Sequence, residues 1–523
     1  MSRESPYSRE PRKPVFRGWQ VLCHEIRFKI LTEIAEEEDS LKYATVSKEW
    51  QFWIEARRFS HIRLRHQDQL DALVNSIVPR QQQHVRYIWL NIELREYGCW
   101  DCWTRESTHD VVMNTRTITH AIERLYEMLS GWKPTRQGLT LELSMQSPTD
   151  NCHWFPHWYN GGSADVPNNI CMSPDVLRLP LKKKRRSDFQ GWNRFIDEIS
   201  LNRLWEQRCD LMFTNLLPKV TVVTRFVLRR QCRRRFPPRS LKMMLERLPR
   251  LEDLTYEPWR AWTRRDQLEQ DDESLVFIQT SNLPRLRRIS IFEDFNERCI
   301  WHLRSLDKPE DMDFPVWLPD RYENDQLAKI MARNGASLEF LEHLSVAFMI
   351  DAGAFLLHCQ RGWIWQRLRF LSLTSNRLRR EARADDISTL LTSAALAAKR
   401  MPKLDRLLLW NAAEGEGCSF EYRRSDRAIL WKAMWDVRLS EEAIRSWDEV
   451  VSLYCSSTSG IRIMKHLLRC RYPLSHGEGM GMLELPPGIV DPVSLFQIQD
   501  EAASDLSSKL KLSRKSSMID EDE

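Results

Sequence analysis

Cys99 and Cys102 form the chain's one C-x-x-C pair, and two thiolates at that spacing are half of a tetrahedral zinc site. Cys152, or His153 with His157, are the nearest candidates for the other half. No second C-x-x-C closes the set, and Trp100 and Trp103 flank the pair as packing residues would, so we expect no bound metal or cofactor and read the thiols as buried. Zinc is the sharper alternative. A second chemistry lies in Arg229, Arg230, Arg233, Arg234 and Arg235, five guanidinium groups directly behind an expected strand. Arginines so grouped suit carboxylates or phosphates. They are expected on a rim, as the electropositive anchor for an acidic or phosphorylated substrate segment; a solvated surface loop is the plainer alternative. Lys182, Lys183, Lys184, Arg185 and Arg186 form a basic run of nuclear-localisation type, with a solvated charge run as its plain counterpart. Gly477, Gly479 and Gly481 alternate in an expected loop, without the strand-then-helix context of a phosphate cradle. There is no H-E-x-x-H, P-loop, G-x-S-x-G or kinase motif set. An enzyme is therefore not expected, short of an unrecognised site in the Trp-rich stretch 145–175.

The elements that must position these residues belong to a chain of 523 residues with 78 basic and 73 acidic side chains, a net charge of +5. That balance excludes a polycationic protein, so each basic cluster is judged by itself. With 42% hydrophobic residues, 17 Gly and 24 Pro, the chain is neither collagen-like nor disordered throughout. Trp is as frequent as Phe, 21 against 20, so flat side chains dominate the core or a partner surface. The longest apolar stretch, Leu344 to Cys359, is broken by Asp351 and too short for a bilayer. Residues 1–16 lack the apolar region of a secretory signal, which leads us to expect cytoplasm, nucleus or both.

Residues 20–60 read as three short helices. Leu22, Ile26, Ile30, Leu31 and Ile34 share a face of the first; Glu36 to Asp39 end it; Ser40 and Ser47 are cap residues of the next two. About 40 residues cannot bury both sides of three such helices, so part of this apolar surface must meet something else. The run Leu22-Cys23-His24-Glu25-Ile26, then Ile30-Leu31, Leu41 and Val46-Ser47-Lys48-Glu49-Trp50, resembles an F-box, with Cys23 where the family usually has Pro. The resemblance implies docking on a Skp-type adaptor, and through it a cullin, by Leu22, Glu25, Ile26, Ile30, Leu31, Ile34, Leu41, Val46 and Trp50.

Farther on, a nine-residue pattern, apolar-x-x-apolar-x-x-apolar-x-apolar, starts at Val220, Leu248, Leu283, Leu338, Trp365 and Met401. Its last two apolar positions are two apart and share one face of a strand. Several copies follow helix-like runs, and units apolar on one side must stack to bury themselves. Tyr87 to Leu94 and Gly138 to Leu143 read as further strands, Ile118 to Leu129 as a helix, and Ser440 to Tyr454 as a capped helix closing the array. Asn334-Gly335 is a helix-stop signal, and Asn376 is expected to satisfy backbone groups inside a turn.

The expected fold class is α/β: an N-terminal three-helix F-box at 17–60, degenerate repeats with a Trp-rich insertion at 61–219, an irregular leucine-rich-repeat-like solenoid with a C-terminal cap at 220–497, and disordered tails at 1–16 and 498–523. The whole resembles fungal F-box proteins. That resemblance implies a substrate-recognition subunit of a Skp-cullin-F-box type ubiquitin ligase, with catalysis on other subunits. The alternative is a nuclear nucleic-acid or chromatin-associated protein using the two basic clusters.

Overall fold

In the computed structural model the described residues are 18–37, 39–98, 101, 104–150, 203, 209–261, 264–278, 283–296, 321, 324–455, 460–469 and 472–501. The expectations for the tail 1–16, for Cys99, Cys102, Cys152, His153 and His157, for most of the Trp-rich insertion, for Lys182 to Arg186 and for 502–523 lie outside them.

The described residues divide into two compact units, one from residue 18 to Ile62 with Ile77–Arg86, the other Arg63–Ser76 with the described residues from Tyr87 on. Helices α1 (Gly18–Val21), α2 (His24–Glu36) and α3 (Lys48–Ser60) belong to the first, with a 3-10 turn, Ser40–Thr45, between the last two. Strand β1 (His61–Leu64) and α4 (Gln67–Ser76) follow, and the chain returns to the first unit for α5 (Pro79–Gln82). Ser47 caps α3 by accepting the Trp50 amide at 3.3 Å. Ser40, expected as a cap, is buried instead, its hydroxyl turned to the Ala35 carbonyl at 3.4 Å. Leu31 and Ala35, one turn apart on α2, and Ile54 of α3 are buried where α2 packs on α3 in this unit. A bidentate ion pair from Arg80 to the buried Glu55, 2.8 Å on both arms, holds α5 to α3.

The second unit alternates strands and helices: β2 (Tyr87–Glu93), α6 (Thr108–Ser130), β3 (Leu139–Gln146), β4 (Val223–Leu228), α7 (Pro238–Leu245), β5 (Asp253–Tyr256), α8 (Arg264–Ile278), β6 (Arg288–Phe292), α9 (Asp325–Ser337), β7 (His343–Ala347), α10 (Ala352–Leu357), β8 (Phe370–Thr374), α11 (Ala384–Ala398) and β9 (Arg406–Ala413). The chain then forms β10 (Glu416–Arg423), β11 (Ala428–Ala433), α12 (Glu441–Tyr454), β12 (Arg462–Leu467), α13 (His476–Leu483) and α14 (492–501). The strands lie in one sheet in chain order; β2 to β9 are all parallel, β9–β10–β11 antiparallel, and β12 parallel to β11.

Each nine-residue copy ends in one strand from β4 to β9. Phe226, Leu254, Ile289, Leu344, Leu371 and Leu407 stand in register across the sheet, and Leu228, Tyr256, Ile291, Val346, Leu373 and Leu409 form the next row on the same face. All are buried. This face meets the helices: a Cβ on Gly335 of α9 would lie 3.2 Å from Leu344, and Trp447 of α12 packs on Phe420 and Tyr422 of β10.

Four expectations are corrected. α9 runs through Asn334-Gly335 to Ser337, because Gly335 there allows close approach to Leu344 and Trp365. Asn376 is exposed; buried Asp351 does the work in that turn, accepting from the Gly353 and Asn376 amides and the Ser375 hydroxyl at 2.6–2.9 Å. The glycines at 477, 479 and 481 lie in helix α13 and not in a loop. Residues 498–501 belong to α14, with Ile498 in the core, and not to a tail. The hairpin β9–β10, turned at Gly415 with φ +84°, was not foreseen.

Candidate functional site

In the first unit α2 presents two stripes. Leu31 and Ala35 face α3, while Ile26, Ile30 and Ile34, at four-residue spacing, run beside them toward solvent. Leu31 is therefore core, a correction to its expected place on a docking surface. Ile26 is 42% exposed, Leu41 46%, Val46 59% and Val21 79%. Leu22, Ile30, Ile34 and Trp50 are half-buried, and Glu25 is exposed in the first turn of α2. The backbone amide of Glu25 and the Cys23 side chain hold that carboxyl below the usual glutamate range. Trp50 packs on Trp19, ring centroids 5.1 Å apart, and on Tyr43 at 6.4 Å. Glu49 accepts from Trp19 Nε1 at 2.9 Å and from Arg27 at 3.1 Å, closing α1 onto α2 and α3. Val21, which sequence reasoning passed over, is the most exposed of these apolar residues; its place after Trp19 in the first helical turn was the available signal.

In the second unit the arginines behind β4 do not form an exposed anchor. Arg229, Arg230, Arg233 and Arg234 are buried and Arg235 half-buried. Arg229 donates its Nε to Glu142 of β3 at 2.7 Å, and a second arm to the same oxygen. Glu142 also accepts from Gln231 at 2.9 Å and from the Tyr87 hydroxyl. Arg230 pairs with Asp294 and, through two arms at 2.9 and 2.8 Å, with Glu501. Arg234 is paired with Glu106 and lies 3.3 Å from Asp150. The lattice continues through Glu293 to Arg260 at 3.4 Å and Arg321 at 2.7 Å, and Arg321 also holds Asp271. Burial opposes charge on Arg229 and Arg230, but Glu142 with Asp491, and Asp294 with Glu501, outweigh it and push both guanidinium pKa values up. At Arg233 burial wins and lowers the value to about 10. The physical reason for the correction is simple: Arg229, Arg230 and Arg234 meet acids of the chain itself, Glu142, Asp294, Glu501 and Glu106, in a buried setting, and do not face water on a rim.

A cavity of about 60 Å³ lies beside this lattice, lined by Arg233, Arg235, Tyr256, Glu257, Trp259 and Glu273 among others. It has room for a couple of waters. Among the described residues no group of three or more His, Cys, Asp or Glu side chains is placed to hold a metal ion, and no helix is long and apolar enough to cross a membrane.

The sequence of residues 282–491, from just before β6 to just before α14, is similar to a family of unknown function, DUF6546. That stretch is less than half of the chain and excludes the N-terminal unit. No curated protein matches the sequence.

Proposed function

We propose that this chain is the substrate-recognition subunit of a Skp-cullin-F-box type ubiquitin ligase. Residues 17–60 act as the F-box that docks a Skp-type adaptor, and through it a cullin. The strands and helices that follow act as an irregular leucine-rich-repeat-like solenoid that holds a protein substrate. The observation that supports this reading is the exposure of Val21, Ile26, Leu41 and Val46 on so small a helical unit. Isolated exposed apolar residues are ordinary, but four of them within 26 positions, three in the motif that resembles an F-box and Val21 just before it, are surface that a partner would cover. Each side chain fully buried on docking contributes roughly 1.5–3 kcal/mol. The chain would carry no catalytic residue; it would hold substrate lysines near a charged ubiquitin at high effective concentration.

The test uses residues outside the core. Ile26→Asp with Val46→Asp places two charges on the exposed surface and spares Leu31 and Ile54. Recovery of the adaptor in co-purification should fall at least tenfold, with far-UV circular dichroism and melting temperature unchanged. Undiminished recovery with the double variant would overturn the docking assignment.

A further inference from the structure

The face of the sheet away from the helices is covered by the chain's own C-terminal segment. On that face Thr255, Ser290, Ser345 and Ser372 form a row in register from β5 to β8, small side chains that leave room for another chain above them. Beyond the row lies an apolar band of Phe292, Ala347, Leu408, Trp410 and Ala412, and Ile489, Val490 and Ile498 pack into it with α13.

Much of the binding is done by side chains that read the backbone of the segment. His343 Nε2 donates to the Gly488 carbonyl at 2.8 Å, and the Ser290 hydroxyl to the Ile489 carbonyl at 3.0 Å. The Asp491 amide donates to Glu257 Oε1 at 2.7 Å, and the Ser494 hydroxyl donates to the other oxygen. Carboxylates of the segment complete the contact: Asp491 lies 3.8 Å from Arg229, and Glu501 takes both arms of Arg230. Asp491 also caps α14 by accepting the Val493 amide at 3.0 Å, with Pro492 in the first helical turn. Backbone hydrogen bonds for affinity, apolar slots and an acid-reading arginine for selection are the parts of a peptide-recognition surface. The closed arrangement also crowds two carboxylates: burial and the neighbouring Asp491 push Glu257 up to about 8.

We propose that the sheet face over β5–β9 is a peptide-binding surface, which residues 488–501 occupy in cis as an internal ligand. An external partner takes the same surface with a segment of the same chemistry, two adjacent aliphatic residues followed by a carboxylate that caps a short helix. This rests on the reading of the second unit as the partner-holding region. Displacing the segment without replacing its acids would leave Arg229 and Arg230 short of counter-charge in a buried setting, which is why the competitor must bring carboxylates.

The experiment titrates a fluorescent peptide of residues 486–501 onto the full chain. Two variants loosen the internal segment by different means. Gly488→Val puts a Cβ 2.8 Å from His343 Cε1 at a residue whose φ is +94°. Asp491→Ala with Glu501→Ala removes the carboxylates. Wild type should take the peptide weakly, both variants at least tenfold more tightly, with faster proteolysis between 484 and 501. A peptide with Ala in place of its Asp should bind the variants at least tenfold more weakly than the native peptide. Refusal of the peptide by folded variants, whether or not the segment becomes protease-sensitive, would overturn the proposal. Loss of fold in one variant leaves the other to decide; loss in both would make the segment plain core and overturn it equally. The titration contains no adaptor, so failure of the docking assignment at Ile26 and Val46 leaves its outcome untouched.

Discussion

Glu142 shows what a single carboxylate does in this protein. It is fully buried and answers Arg229, Gln231 and Tyr87 at once. Glu142→Ala would strand a buried guanidinium, and breaking such a pair costs about 3–5 kcal/mol. A urea-denaturation midpoint should move accordingly; a loss below about 1 kcal/mol would mean that Asp491 or water takes over. The arginines of 229–235 were visible as a cluster, but their burial was not. The acidic partners of Arg229, Arg230 and Arg234 come from 64 to 271 positions away, Asp294 and Glu501 for Arg230 alone. Nothing local distinguishes a guanidinium that faces water from one that closes onto a distant strand. The reverse error occurred at Leu31: helical spacing placed it beside Ile26 and Ile30, yet a rotation of about 100° per residue puts it on the α3 side.

Among the elements, α13 owes its position to glycine. A Cβ on Gly477 would lie 2.4 Å from Ile498 Cγ2 and 2.9 Å from the Ile498 carbonyl oxygen, and one on Gly479 3.1 Å from Ala412 Cβ. Ala at 477 would favour the helix by up to about 1 kcal/mol, but overpacking against α14 costs about 1–3 kcal/mol, and a backbone oxygen cannot step aside as a side chain does. Gly477→Ala should therefore lower the melting temperature by about 1–3 °C and speed proteolysis near 490, while Gly362→Ala, with nothing within 4 Å, should do neither. A rise in melting temperature for Gly477→Ala would show that α14 shifts freely. The strands β4–β9 were legible because their apolar pairs repeat at a period of two within each copy. Helix α13 was not, because glycines that permit close packing look, in a sequence, like glycines that permit a turn.

At the scale of the whole molecule, stability against pH is informative because the charge is nearly balanced. His343 is buried, stacked on Phe370 with centroids 4.4 Å apart, and held beside Arg288; burial, then that neighbouring charge, lowers its pKa to about 4. The unfolded chain takes up this proton near pH 6.5. Its contribution is therefore complete above about 6.5 and is lost as pH falls toward 4, at most about 3 kcal/mol. His343→Gln should flatten the acid limb of the stability profile by that amount, and an unchanged slope would place the titration elsewhere. The amino-acid sequence by itself determined the alternation of helix and strand, the six stacked apolar pairs and the caps at Ser47 and Ser440, because each depends on residues within one or two turns of one another. Only the tertiary structure decided which arginines are buried, that Asp351 rather than Asn376 satisfies its turn, and that residues 488–501 lie on the open face of the sheet. Those outcomes are set by contacts between residues far apart in the chain, whose geometry no local pattern records.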